Sequence, residues 1–166
     1  PPRSTLFPYT TLFRSLCNIR GTAMIKQKIV LEVPIEQQES WQDIVDIMAK
    51  ILHVPTALIM RFTDPYIEVF VSSKTSGNPY HRGEKEIVAK SGYYCERVLQ
   101  TKDMLLVPNA LADEEWKDNP DLKLNMISYL GLPILLPDGT PFGTLCVLDN
   151  KENSYSKIFQ IGRAHV

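Results

Sequence analysis

The sequence predicts an α+β fold in which helices flank a single antiparallel sheet. Three observations carry this. Trp41–Leu52 repeats apolar residues at helical spacing, two pairs of β-rich segments are each joined by turn-forming residues, and one of those segments is apolar on both faces.

In chain order, Ser40 and Asp43 resemble a capping box, which predicts a helix over Trp41–Leu52. Its Trp41, Ile44, Val45, Met48, Ile51 and Leu52 form one apolar stripe. The preferred reading is that the stripe covers the domain's own sheet, with a dimer contact as the alternative. Thr56–Phe62 and Tyr66–Ser73 are rich in β-branched and aromatic residues and are separated by Thr63-Asp64-Pro65, so they predict a hairpin. The polar Lys74–Glu86 segment, with Gly77, Pro79 and Gly83, reads as a long loop. A short helix is expected within Ser91–Thr101 and a brief strand over Met104–Val107. Asn109–Asp118 reads as an irregular loop with one helical turn. Asn119-Pro120 provides an N-cap followed by a proline where no N–H is needed, predicting a helix over Pro120–Met126. Ile127–Leu136 and Pro141–Leu148 surround Pro137-Asp138-Gly139-Thr140, a second hairpin signal. In its second arm Phe142, Cys146 and Leu148 are expected on one face and Leu145 and Val147 on the other, which places this strand centrally. Ser154-Tyr155-Ser156 opens an expected last helix.

The ends of the chain need separate treatment. Pro1–Ser15 repeats Thr-Leu-Phe, lacks any amphipathic period and matches the in-frame translation of a sequencing-library adapter. Gln160–Val166 matches the adapter of the opposite side, and both segments are set aside from fold reasoning. The native part is then about Leu16–Phe159, with Met24 as a candidate start and 24–159 as one domain whose last helix is truncated. A fragment of a larger protein is expected. The full chain holds 18 Lys+Arg against 19 Asp+Glu, and without Arg3, Arg14 and Arg163 the remainder carries 15 against 19, a net charge of −4. No basic stripe is left to neutralise phosphates, so nucleic-acid binding is not expected. The longest apolar runs, such as Ala57–Met60, fall far short of the ~20 residues of a spanning helix, so no membrane partner is expected either. Cys17, Cys95 and Cys146 are too few and scattered for a disulfide framework or a metal knuckle, which fits a cytoplasmic location.

Taken in order, several short pieces resemble the GAF domain, a small-molecule-sensing module of bacterial signalling proteins. They are Glu68–Ser73, Gly92-Tyr93-Tyr94-Cys95, Val107-Pro108-Asn109-Ala110, Ile127–Ile134 and Phe142–Asp149. The resemblance covers about Ser40–Phe159. It implies a GAF-like α/β sandwich: a central antiparallel sheet of five or six strands, terminal helices on one face, and short helices and loops enclosing a pocket on the other. It also implies a covalently linked effector, such as a histidine kinase or a diguanylate cyclase, and a homodimer through the terminal helices.

On that plan Ser72, Tyr94, Cys95, Asn109, Trp116, Asn119, Met126 and Tyr129 come together on the loop-covered face. They combine aromatic walls with a few amide and hydroxyl groups, the mixture that holds a small organic ligand. Core filling by Trp116 and Tyr129 is the competing reading. Cys95, at the start of a short helix, could carry a lowered pKa. GAF-fold reductases of free methionine sulfoxide use a nucleophilic cysteine with a resolving partner, and Cys95 lies near that position. No cysteine occurs between Glu96 and Leu145, so a structural or ligand-lining Cys95 is preferred. His53 and His81 do not follow a cysteine, as a bilin site would require, and no metal site or cofactor is expected from two isolated histidines. Asn150-Lys151 with Tyr155 and Phe159 only partly resembles a cyclic-nucleotide signature, and an ordinary turn is preferred. The expected function is a sensor for an unidentified small molecule. The alternatives are a methionine sulfoxide reductase using Cys95 and a ligandless dimerisation module.

Overall fold

The computed structural model describes residues 31–156. The chain divides into the units Pro1–Leu31 and Glu32–Val166, and every element below belongs to the second. The two adapter-like segments, Cys17, Met24 and the expected last helix beyond Ser156 lie outside the described residues.

The elements are helix α1 (Ile35–Leu52), strands β1 (Thr56–Thr63), β2 (Tyr66–Ser72) and β3 (Lys85–Ile87), helix α2 (Tyr94–Thr101), strand β4 (Leu105–Val107), 3-10 turns at Ala110–Ala112 and Pro120–Leu124, and strands β5 (Ser128–Leu135) and β6 (Pro141–Asp149). The strands form one six-stranded antiparallel sheet in the order β3-β2-β1-β6-β5-β4. Both expected hairpins are present, and β6 lies centrally beside β1.

The start of α1 differs from the sequence reading. The helix begins at Ile35, with Pro34 as N-cap, and Ser40 is an interior residue whose hydroxyl donates to the Glu36 carbonyl at 2.9 Å. A serine bonded back to the preceding turn imitates a cap in sequence without ending anything. The helix stops at His53, which adopts a left-handed conformation (φ 55°) and donates its N–H to the carbonyls of Ala49 and Lys50. The apolar stripe is also divided. Of its six members Val45 and Leu52 are buried and Trp41 and Met48 half-buried, whereas Ile44 and Ile51 are exposed. Lys85 and Glu86, read as the end of a loop, form with Ile87 an edge strand paired with β2. The 3-10 segment at Pro120 ends at Leu124, short of Met126, and Asn125 turns it off in a left-handed conformation (φ 60°).

The sheet carries a separate core on each face. Beneath α1 lie Val45, Ala49, Leu52, Ala57, Ile59, Phe70, Val71, Leu130, Phe142 and Val147. Phe142 therefore faces α1, not the side of Cys146 and Leu148 expected from simple alternation. The cause is a bulge. Ile134 pairs with Gly143 and Leu135 with Pro141, leaving Phe142 as the extra residue of β6. A second bulge, between Ile59 and Met60 of β1, leaves Phe70 as the extra residue of β2. The two phenylalanines and Trp41 then meet edge to face, with ring centroids 5.4–6.0 Å apart. Next to the bulge β6 runs so close to β1 that a Cβ on Gly143 would sit 1.7 Å from the Met60 carbonyl oxygen, so only glycine fits there.

Candidate ligand pocket

The opposite face is covered by α2, the 3-10 segments and the loop after β2 rather than by one long helix. Short pieces cannot tile a twisted sheet completely, and a cavity of about 490 Å³ remains between them and the strands. Its floor is Leu58 and Met60 of β1, Ile67 and Val69 of β2, Tyr129 of β5, and Cys146 and Leu148 of β6. Its walls are Pro79 and Tyr80 from the loop, Glu84–Glu86 at β3, Tyr93 and Cys95 at the start of α2, and Pro120, Asp121, Lys123 and Leu124.

Of the eight residues expected here, Cys95 and Tyr129 line the cavity. The other six are on or beside the same face but do not line it. Tyr94, Trp116 and Met126 are buried in the adjoining core. The Tyr94 ring stacks on Tyr129 with centroids 4.7 Å apart and packs on Trp116 at 5.2 Å, and its hydroxyl donates to the Met126 carbonyl at 3.3 Å. Asn119 is the expected N-cap, accepting from the Asp121 N–H at 2.8 Å, and its amide also donates to the Gly92 carbonyl at 2.7 Å. Asn109 caps the turn at Ala110 and donates to Glu152 at 3.1 Å. Ser72 donates to the Tyr80 carbonyl at 2.8 Å.

That last contact belongs to a hub centred on Asn78. Its amide nitrogen donates to Ser72 Oγ, the Ser73 carbonyl and Ser73 Oγ, and its oxygen accepts from Thr56 Oγ1 and the Tyr80 N–H, all within 2.7–3.2 Å. The hub sets the path of the loop that carries Tyr80 over the sheet. Tyr80 then reaches across to donate its hydroxyl to Asp121 Oδ1 at 2.8 Å.

Asp121 and Tyr80 are the polar centre of the cavity that sequence reasoning missed. They are 41 residues apart, and neither belongs to a recognisable motif. The one available signal was the Asn119-Pro120-Asp121 start, which fixes a carboxylate at the second position of a short helical segment. Asp121 is 7% exposed, and burial pushes its carboxyl up to about 6, opposed by the hydrogen bond from Tyr80. Burial and the neighbouring Asp121 together hold the Tyr80 phenol far above its ordinary value, so it stays a neutral donor.

Where wall and floor meet, Cys95 Sγ lies 3.4 Å from the Tyr129 hydroxyl and 3.4 Å from Thr144 Oγ1. Cys146 is its other neighbour. The neighbouring Cys146 thiol lowers the Cys95 pKa, while Cys95 and burial together hold Cys146 well above the usual thiol range. Gly131 makes this corner possible. A Cβ there would lie 2.0 Å from the Tyr129 hydroxyl, so the absence of a side chain lets the phenol lie over β5 and reach Cys95. Among the described residues no three His, Cys, Asp or Glu side chains gather as a metal site, and no helix is long and apolar enough to cross a membrane.

No curated protein matches this chain. Solved structures share its fold at low identity. The GAF domain of an Acinetobacter phosphoenolpyruvate-protein phosphotransferase is 18% identical, with a TM-score of 0.57 over 75% of each chain. The blue-light absorbing form of the PixJ GAF domain from Thermosynechococcus elongatus is 16% identical, with a TM-score of 0.59 over 74% of this chain and 77% of that one. A type II free methionine-R-sulfoxide reductase from Thermoplasma acidophilum is 10% identical, with a TM-score of 0.58 over 75% of this chain and 82% of that one. The family model for the GAF domain matches residues 36–159, which takes in α1, the sheet and the cavity. The chain belongs to the GAF domain family.

Proposed function

We propose that this GAF domain is the small-molecule-sensing part of a signal-transduction protein and passes occupancy of its cavity to an effector carried elsewhere in the parent protein. The observation that supports this reading is the cavity itself. It holds about 490 Å³ over an apolar floor, with one buried carboxylate and a few phenol and thiol groups to orient a guest. Ligand binding would favour one packing of α2 and the Pro120–Leu124 segment over another, and the sheet would pass that bias to α1. A metabolite screen by thermal shift, followed by calorimetry, tests it on the full chain. A ligand at a hundred times its Kd should add about 2.7 kcal/mol of stability. A well-folded sample that no compound saturates would refute the sensor reading.

A second reading has one observation in its favour: Cys95 and Cys146 line the same cavity, although 51 residues separate them. A reductase needs such a pair. Cys95 would attack the sulfoxide sulfur and leave the thioether and a sulfenic acid. The Cys146 thiol would then condense with that sulfenic acid, giving a disulfide and water, and an external dithiol would reset the pair. Incubation with methionine sulfoxide and dithiothreitol decides it. Turnover abolished by Cys95→Ser supports the enzyme, and no turnover by the parent chain eliminates it.

A further inference from the structure

Asp121 is the one acidic side chain buried in the cavity wall, and half of its carboxylate is unused. Oδ1 accepts from Tyr80, whereas Oδ2 has no hydrogen-bond partner among the described residues and is not sealed from the cavity. No lysine, arginine or histidine among the described residues pairs with it: Lys85 is drawn to Glu68 at 3.7 Å, and Lys123 points from an exposed position on the same segment. The remaining charged groups at the cavity are Glu84 and Glu86, both exposed at the rim. A buried carboxylate with no positive partner is an unfavourable arrangement, and a guest that brings the missing charge removes the penalty.

We propose that the cavity takes a small organic cation, an ammonium or guanidinium group on an apolar body, with Asp121 Oδ2 receiving the charged head and Leu58, Met60, Ile67 and Val69 covering the body. This rests on the reading that the cavity is a small-molecule site. The cation is organic because a single carboxylate cannot surround a divalent metal, which takes six or more oxygen ligands, and no wider cluster is present among the described residues. The rings of Tyr80, Tyr93 and Tyr129 at the lining add electron-rich surface that favours a positive guest over a neutral one.

Calorimetry on the full chain with a matched pair, 4-methylpentylammonium and 4-methylpentan-1-ol, tests this. The amine should bind at least ~10-fold more tightly than the alcohol, and Asp121→Asn should erase that ratio. A second measurement needs no variant: followed by carboxyl NMR in the parent chain, the Asp121 midpoint should fall by about one unit or more when the amine is saturating, and stay put with the alcohol. Equal affinities, a preference that survives in Asp121→Asn, or an unmoved midpoint each overturn the cation assignment. If the alcohol binds and the amine gains nothing, the cation assignment fails and the small-molecule site stands. If neither probe binds, the cation assignment fails, and the site itself is then decided by the metabolite screen.

Discussion

The two faces of this sheet are covered by different kinds of chain and end up differently. Under α1, an unbroken 18-residue helix, the core is mainly hydrocarbon and aromatic, and two bulges deliver Phe70 and Phe142 to Trp41. On the other face the eight-residue α2 and two 3-10 segments meet phenols, thiols and a buried carboxylate around open space. One continuous element can fill a face; several short ones, each obliged to satisfy its own ends with caps such as Asn109 and Asn119, leave room and polar groups behind. The difference between scaffold and site here is a difference in the length of the cover.

The contrast can be broken first on the filled side. Phe142→Ala should cost about 3–5 kcal/mol in urea unfolding, because this buried ring packs edge to face on both Trp41 and Phe70 and its loss leaves a cavity between them. Val69→Ala, on the cavity floor, should cost less than half of that, since one side of Val69 already faces open space.

The next largest effect is electrostatic. The folded-state pKa of Asp121, about 6, lies above its ordinary 3.8, so folding favours the protonated acid. The stability tied to that proton is fully present below about pH 4 and is lost as pH rises through about 6. Roughly 2–3 kcal/mol should disappear between pH 4 and pH 7 by urea unfolding. Asp121→Asn, which cannot ionise, should not show that loss, so its stability relative to the parent chain should rise across the same interval.

Smaller still, Gly131→Ala should cost about 1–3 kcal/mol, because its methyl group would displace the Tyr129 ring. The same change should weaken any cavity ligand found by calorimetry, as the equally central Phe142→Ala should not. Asn119→Ala, at the cap of the Pro120 segment, should cost about 1 kcal/mol in thermal unfolding.

Legibility in the sequence follows the same divide. The hairpins, the Asn119 cap and the central place of β6 rest on local turn chemistry and alternation, and each is recovered close to its expected bounds. Phe142 was misplaced because alternation holds only while the register does, and a bulge carries no composition of its own. The β3 strand was missed because Lys85-Glu86-Ile87 has little intrinsic preference for a strand and gains its conformation from pairing with β2. The early start of α1 was hidden by Ser40, whose bond to Glu36 mimics a beginning. Cys95 and Tyr129 were found at the cavity because they belong to the GAF-like segments, whereas Tyr80 and Asp121 meet only through the folded loop.

The five contacts of Asn78 have a consequence for how a guest gets in. An amide that anchors the root of the loop to two strands makes the Tyr80 wall part of the frame, set before any visitor arrives. On the sensor reading proposed above, admission would fall to the opposite jamb, the short Pro120–Leu124 segment, and little disorder would have to be frozen out when the chamber fills.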